Sequence, residues 1–133
     1  MKFSRNMAAA LVIATAGLSI HAAHAEQNAL QRTDLVQNDI SVPGHDVIQV
    51  RVDFRPGAVS INHSHPGEEV AYVLKGILEY QLEGGQPVTL KEGQSLFIPA
   101  GVAHVARNVG DGEASELATY IVEKGSPLVV PVK

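Results

Sequence analysis

Two histidines and two carboxylates stand close together in the segment HSHPGEE, residues 63–69. His63 and His65 are two residues apart, so on a β-strand their side chains point to the same face. Two imidazoles on one face can supply two nitrogen ligands to a single metal ion. A Pro-Gly turn follows, which lets the chain reverse. A carboxylate from Glu68 or Glu69, at the start of the next strand, can then complete the metal shell.

A second segment, GQSLFIPAGVAHVARN at residues 93–108, carries a further histidine, His104, after a Pro-Ala-Gly turn. The chain has six histidines, and two of them, His21 and His24, lie within the first 25 residues. Three of the other four fall in these two segments. This concentration favours one shared site over three unrelated polar turns.

The elements that must position these side chains are short strands. Apolar and polar residues alternate from Val47 to Phe54, and Gly, Pro and Asn punctuate the rest of the chain, with no helical period. Many short strands with such turns predict a closed β-barrel or sandwich. An edge strand is also expected around Arg32 to Val36. The other predicted strands span 59–65, 69–75, 77–82, 87–90, 95–98, 103–108 and 115–123.

The two segments resemble the two sequence motifs of the cupin superfamily. The first motif, G-x5-H-x-H-x3-E-x6-G, is matched by Gly57, His63, His65, Glu69 and Gly76. The second, G-x5-P-x-G-x2-H-x3-N, is matched by Gly93, Pro99, Gly101, His104 and Asn108. Two motifs in the right order, separated by 16 residues, are a specific signal.

This resemblance implies an all-β fold, a single-domain jelly-roll (cupin) β-barrel with a metal inside. The implied ligands are His63, His65, Glu69 and His104. Three imidazoles and one carboxylate suit one divalent transition metal, which can be Fe, Mn, Ni, Cu, Co or Zn. The motif spacing selects Glu69 and leaves Glu68 solvated or as a supporting acceptor for a ligand histidine.

The first 25 residues differ in character from the rest of the chain. A short basic start is followed by an uncharged run from Met7 to Ile20 and by small residues up to Ala25. This pattern predicts a bacterial secretory signal cleaved after Ala25, with an uncleaved N-terminal anchor as the alternative. The expected organisation is a signal peptide at 1–25, an N-terminal arm at 26–45 and the barrel domain at 46–133. The protein is then periplasmic or secreted, with no stable membrane insertion after cleavage.

Composition excludes several function classes. Residues 26–133 keep eight basic and 14 acidic residues, a net charge of −6, and contain no basic cluster. An acidic domain of this kind is a poor partner for nucleic acid or for anionic membranes. Cysteine is absent, so disulfide and thiolate chemistry is unavailable. A small molecule is the expected partner. Edge strands and the arm also offer a surface for a homodimer.

Strand alternation gives a first expectation for the barrel lumen. Tyr80 is expected to point inward, as core filler or with its hydroxyl near the metal, and Phe97 and Tyr120 are further candidates for the lining. Arg51 and Arg107 fall on outward faces, so the lumen is expected to lack a fixed cation. A phosphorylated sugar would need such a cation. A small neutral or aromatic ligand that binds the metal directly is therefore expected.

Three functions remain open at this point. The first is a metal-dependent oxidoreductase similar to the quercetin-dioxygenase-like cupins, in which Glu69 also acts as a catalytic base. The second is a non-catalytic module of the cell envelope that binds or senses a small ligand through its metal. The third is a structural cupin without a metal. Fold resemblance alone does not choose among them.

Overall fold

The computed structural model of the chain describes residues 29–133, so the predicted signal peptide and residues 26–28 lie outside the described residues. Over the described range the chain forms ten strands and no helix. Accordingly, none of these residues belongs to a helix long and apolar enough to cross a membrane. The strands are β1 (Leu30–Asp39), β2 (His45–Phe54), β3 (His63–Ser64), β4 (Glu68–Lys75), β5 (Ile77–Leu82), β6 (Val88–Lys91), β7 (Ser95–Ile98), β8 (His104–Asn108), β9 (Ala114–Glu123) and β10 (Val130–Pro131).

The strands form two five-stranded antiparallel sheets. The first has the order β1-β2-β9-β4-β7 and the second has the order β10-β3-β8-β5-β6. Neighbours within a sheet are mostly distant in sequence, as a jelly roll requires. The predicted fold, an all-β single-domain jelly-roll barrel, is confirmed.

Most predicted strands agree with the observed ones to within two residues, and 77–82 and 95–98 coincide with β5 and β7. The segment 59–65 differs. It contains only the two-residue strand β3 and an isolated bridge between Val59 and Arg107. On a continuous strand over 59–65, alternation predicts that Val59 and Ile61 face inward with His63, but both are exposed. The chain bends between Ile61 and His63. The alternation is interrupted there, because period-two alternation holds only within a continuous strand.

The N-terminal segment is part of the first sheet. β1 runs antiparallel to β2 from Leu30, opposite Phe54, to Asp39, opposite Asp46. The edge strand expected around Arg32 to Val36 is therefore present and is longer than predicted. Residues 30–39 of the predicted arm form a sheet edge.

The core lies between the two sheets, and alternation along β4, β5 and β9 decides which side chains enter it. On β4 the buried positions include Ala71 and Val73, whereas the alternate residues are exposed. β9 pairs with both β2 and β4, so it lies at the centre of the first sheet. The inward faces of these strands also carry Glu69, Tyr80 and Glu116, which are all buried. The apolar core thus surrounds a small polar group.

Gly76 and Gly57 allow a matched test of how closely the backbone packs at two turns. Both have positive φ, +76° and +73°, where L side chains are strained. A Cβ at Gly76 would lie 2.7 Å from the Glu113 carbonyl oxygen, whereas a Cβ at Gly57 would meet nothing within 4 Å. We expect Gly57→Ala to lower the free energy of unfolding by about 1 kcal/mol. We expect Gly76→Ala to cost about 2 kcal/mol more because of the backbone clash. Urea unfolding of the two variants checks this, and equal losses would contradict the clash.

Candidate metal centre

Three imidazole rings converge inside the barrel. His63 on β3 lies opposite His104 on β8 across the strand pair, and their ring centroids are 4.4 Å apart. His65, just after β3, lies 4.8 Å from the ring of His63 and 5.2 Å from that of His104. One nitrogen from each ring lies within 4.8 Å of the others, and all three residues are buried. The structure thus brings together the three histidines that the two motifs single out.

The orientation of each ring is set by a hydrogen bond from its Nδ1 to a backbone carbonyl. The Nδ1 of His63 donates to the Ile61 oxygen at 2.8 Å, and that of His104 donates to the Val102 oxygen at 3.1 Å. The Nδ1 of His65 donates to the oxygen of Leu128 at 2.5 Å. A neutral imidazole that donates from Nδ1 has its lone pair on Nε2. All three Nε2 atoms are therefore available as ligands, which is the usual support for metal-binding histidine.

Glu69 supplies the fourth group of the cluster. It begins the inward face of β4, and its Oε2 lies 3.0 Å from the Nε2 of His65 and 3.4 Å from that of His104. Glu68 is exposed on the opposite face, in agreement with the solvated position that the motif spacing left to it.

The donor atoms fit a cation. The Nε2 of His65 and the Oε2 of Glu69 are buried and close, yet neither makes a hydrogen bond of good geometry. Buried polar atoms are nearly always satisfied, and a metal ion between these atoms would satisfy both. Three neutral nitrogens and one carboxylate oxygen suit a divalent transition metal.

The pKa values of the cluster match this role. Burial is the largest effect on His63 and lowers its pKa to about 4, so the ring is neutral at pH 7. Burial works to raise the pKa of Glu69, but the close approach of the His104 and His65 rings outweighs it and lowers that pKa to about 2. For His104, burial works to lower the pKa, but Glu69 and the Val102 carbonyl raise it overall. The cluster therefore holds an ionised carboxylate.

A second polar pair lies beside the cluster. The hydroxyl of Tyr80 on β5 donates a short hydrogen bond to Oε2 of Glu116 on β9. The expectation that Tyr80 points inward is confirmed, since it is 1% exposed. Burial is the largest effect on Glu116, followed by the charge of Glu69, and its pKa rises to about 7. Burial also raises the pKa of Tyr80.

Two more side chains complete the lining of the lumen. Tyr120 of β9 is buried with its ring 4.6 Å from that of His65, which agrees with its candidate role. Arg32 of β1 extends a guanidinium to the hydroxyl of Tyr120, 3.5 Å away, and contributes to the same cavity. Phe97, the other aromatic candidate for the lining, is 57% exposed on the outer surface, so that prediction was wrong.

Arg32 corrects the expectation that no cation reaches the cavity, although the residue itself is exposed on the edge strand. Arg51 and Arg107 do point outward, where each lies near a surface carboxylate. The prediction failed because the segment 26–45 was treated as an arm, whose side chains had no assigned face. In the observed register Arg32 lies opposite Val52, an inward-facing core residue. The cation thus comes from the edge strand.

The cavity at the cluster is small. Its volume is about 20 Å³, close to the space that one water molecule occupies. A larger hollow of about 470 Å³ lies elsewhere on the surface, and none of the three clustered histidines lines it. The chemistry therefore belongs to the small cavity, whose volume matches a single metal ion or water molecule.

Glu116 is the functional group that sequence reasoning did not identify. Both faces of 115–123 are apolar, so parity could not be read there. One signal was present, however: Glu116 is the only charged residue between Glu113 and Glu123. A lone carboxylate within an apolar strand is a candidate for a buried, paired group.

Comparison with known proteins agrees with the fold and the cluster. The family model of the cupin domain matches residues 50–130. The wheat (Triticum aestivum) oxalate oxidase GF-3.8 is 33% identical over 111 residues, covering 75% of this chain and 49% of that protein. An Arabidopsis thaliana germin-like protein (subfamily 2 member 1) is 32% identical over 91 residues, covering 62% of this chain and 42% of that protein. The chain thus spans half or less of the length of these relatives.

Solved structures give the same picture. A structure of oxalate oxidase superposes with a TM-score of 0.63 at 28% identity and covers 79% of this chain and 56% of that one. A cupin-like protein from Thermotoga maritima gives 0.64 at 27% identity, with 77% and 75% covered. The family match covers more than half of the chain and includes all four clustered side chains. The chain belongs to the cupin superfamily.

Proposed function

We propose that this protein is an exported, metal-dependent oxidoreductase that acts on a small carboxylic acid, with O2 as the electron acceptor. The observation that carries the proposal is the combination found in one buried cavity. Three Nε2 atoms and a carboxylate converge there, and a guanidinium lines the same space.

The metal would be held by His63, His65, Glu69 and His104. Four protein ligands leave one or two positions of a transition metal open. A bound metal supplies Lewis acidity and, when it is redox-active, electron transfer. The chain itself orients the rings through three backbone carbonyls and excludes bulk water, since every member of the cluster is buried.

The substrate class follows from charge and size. The expectation of a neutral or aromatic ligand depended on a lumen without a cation, and Arg32 removes that reason. A guanidinium binds a carboxylate through charge-assisted hydrogen bonds. A cavity of about 20 Å³ also argues against a bulky aromatic ring.

The relatives support this choice. Wheat and barley (Hordeum vulgare) oxalate oxidases match the chain at 32–33% identity. One solved oxalate oxidase, 28% identical with a TM-score of 0.64, is described in complex with the substrate analogue glycolate. Oxalate and glycolate are both small carboxylates. This support extends only over the half of those proteins that the chain spans.

Export and self-association are part of the proposal. The N-terminal pattern supports cleavage after Ala25 and delivery to the periplasm or beyond. A homodimer is supported by β1, which has one neighbour among the strands of residues 29–133 and exposes Leu35 and Val36. Light scattering of the purified protein measures this assembly, and a monomer at all concentrations would contradict it.

The metal site is tested by elemental analysis of protein isolated from the periplasm or the medium. We expect about one transition metal per chain. The double variant His63→Ala, His104→Ala should lose it, because two of three imidazole ligands are gone. His45→Ala is the matched control, since the Nδ1 of His45 lies beside the Pro43 carbonyl in an exposed setting away from the cluster.

Two outcomes of this experiment would count against the proposal. Unchanged metal content in the double variant would exclude the cluster as the site. A wild-type protein without metal would leave the structural cupin as the better description. Mass spectrometry of the same sample tests export, because a chain beginning at Glu26 supports cleavage and an intact N-terminus contradicts it.

The role of Glu69 as a catalytic base is tested by Glu69→Gln, with Glu68→Gln as the matched control on the exposed face of β4. We expect Glu69→Gln to lower kcat about 100-fold or more, because a general base contributes at least this factor. Glu68→Gln should be unchanged. Full activity of Glu69→Gln at unchanged metal content would exclude the base role.

The substrate class is tested by O2 consumption with formate, glycolate and oxalate, beside the neutral analogue glycolamide. We expect turnover of at least one acid, lost on chelation. Arg32→Gln should raise KM for that acid about tenfold, because one charge-assisted hydrogen bond is lost. Arg51→Gln, outward on β2, is the control. Tight acid binding without turnover would favour a non-catalytic binding module instead.

A further inference from the structure

Glu116 is a buried carboxylate that the metal cluster does not use. It lies on β9, opposite Val52 of β2 and Val73 of β4, and is 6% exposed. Its hydrogen-bond donor is the hydroxyl of Tyr80, and the two side chains line the same cavity as Glu69. A ligand bound in that cavity is therefore in contact with this pair.

At a buried position with a purely structural role, a carboxylate costs more free energy than a neutral side chain. A glutamine would accept the same hydrogen bond from Tyr80 without placing a charge in the core, and buried charges are expensive unless they are neutralised. Within the part of the chain that the structure describes, the hydrogen-bond partner of Glu116 is the hydroxyl of Tyr80. The least costly state of such a group is the protonated acid, which suggests that its ability to hold a proton is what the position provides.

The groups that face Glu116 set when it takes that proton. Burial and the charge of Glu69 on β4 raise its pKa, whereas the Tyr80 hydroxyl on β5, Arg32 on β1 and His104 on β8 lower it, with a result of about 7. The other polar residues that line the cavity are Ser60, which precedes β3, His63 on β3 and Tyr120 on β9.

We propose that Glu116 takes up one proton from solvent when a small carboxylate enters the lumen, and donates the resulting O–H to that ligand. This inference rests on the proposed function, because it requires a carboxylate ligand. The balance is simple. One ligand anion enters, one proton binds an oxygen of Glu116, no bond of the ligand breaks, and the net charge of the lumen is unchanged.

The physical reason is repulsion among carboxylates in one small space. Glu69 is ionised, so an incoming carboxylate adds a second negative charge next to Glu116. Carboxyl groups that share a site cannot all ionise, and one of them keeps a proton. Glu69 is held by two histidines, so the proton goes to Glu116. The positive charge of a bound metal acts in the opposite direction, and the ligand's charge offsets part of it.

The test is isothermal titration calorimetry of the metal-loaded protein with formate, in two buffers that differ in ionisation enthalpy, at pH 6, 7 and 8. The dependence of the heat on the buffer reports protons taken up per formate bound. For the wild type we expect close to one proton at pH 8, where Glu116 starts ionised. The uptake should decrease from pH 8 to pH 6, because a growing fraction of Glu116 is already protonated before formate binds.

Three variants make the assignment specific. Glu116→Gln keeps the hydrogen bond from Tyr80 and should bind formate without proton uptake. Tyr80→Phe removes a group that lowers the pKa of Glu116, so its uptake profile should move to higher pH. Glu68→Gln, which alters an exposed carboxylate, should match the wild type. A purely structural role for Glu116 would leave all uptake profiles alike.

Each other outcome is decisive. Formate binding by the wild type with buffer-independent heat at every pH overturns this inference and leaves the proposed function standing. Equal uptake by Glu116→Gln assigns the proton to another group and also overturns it. No formate binding by the metal-loaded wild type contradicts the proposed substrate class and this inference together. If Glu116→Gln does not fold, the Tyr80→Phe profile decides, and an unshifted profile contradicts the assignment.

Discussion

Three hydrogen bonds from imidazole Nδ1 atoms to backbone carbonyls determine what the lumen can bind. Two are local, since His63 and His104 each use the carbonyl two residues earlier in the chain. The third is long-range, because His65 uses Leu128, 63 residues away. The C-terminal segment is therefore part of the site although it supplies no donor atom. A rotation of any ring would replace an acceptor nitrogen in the lumen by an N–H group, and the cluster would lose its affinity for cations.

The lumen holds two carboxylates whose pKa values are shifted in opposite directions. Glu69 is surrounded by imidazole nitrogens, and its pKa falls to about 2, whereas Glu116 has one tyrosine partner and its pKa rises to about 7. Pairs of titratable groups that are separated in this way are typical of sites that divide ligand binding from proton handling. The separation arises from strand placement, because Glu69 starts β4 at the histidine end and Glu116 faces Tyr80 from the centre of the first sheet.

The sequence predicted the parts of this protein that depend on local spacing. The jelly roll, most strand positions, the convergence of the three histidines and the inward parity of Glu69 all follow from motifs or from period-two alternation. Glu116 was missed because alternation is uninformative in a strand with two apolar faces. Arg32 was missed because its orientation depends on the register between β1 and β2, a long-range pairing that no local pattern encodes. The prediction that Val59 and Ile61 face inward was wrong because the chain bends before His63, which interrupts the alternation.

The position of Arg32 on β1 has an evolutionary consequence. The match to the cupin family model begins at residue 50, so this strand lies outside the matched region, while all four clustered donors lie inside it. Because β1 pairs with one neighbour, β2, its side chains can vary with little effect on the core. Under the proposed function, ligand preference and the metal cage would be encoded in separate stretches of the chain. A cupin built this way can acquire a new specificity by drift in its first strand, without passing through a destabilised intermediate.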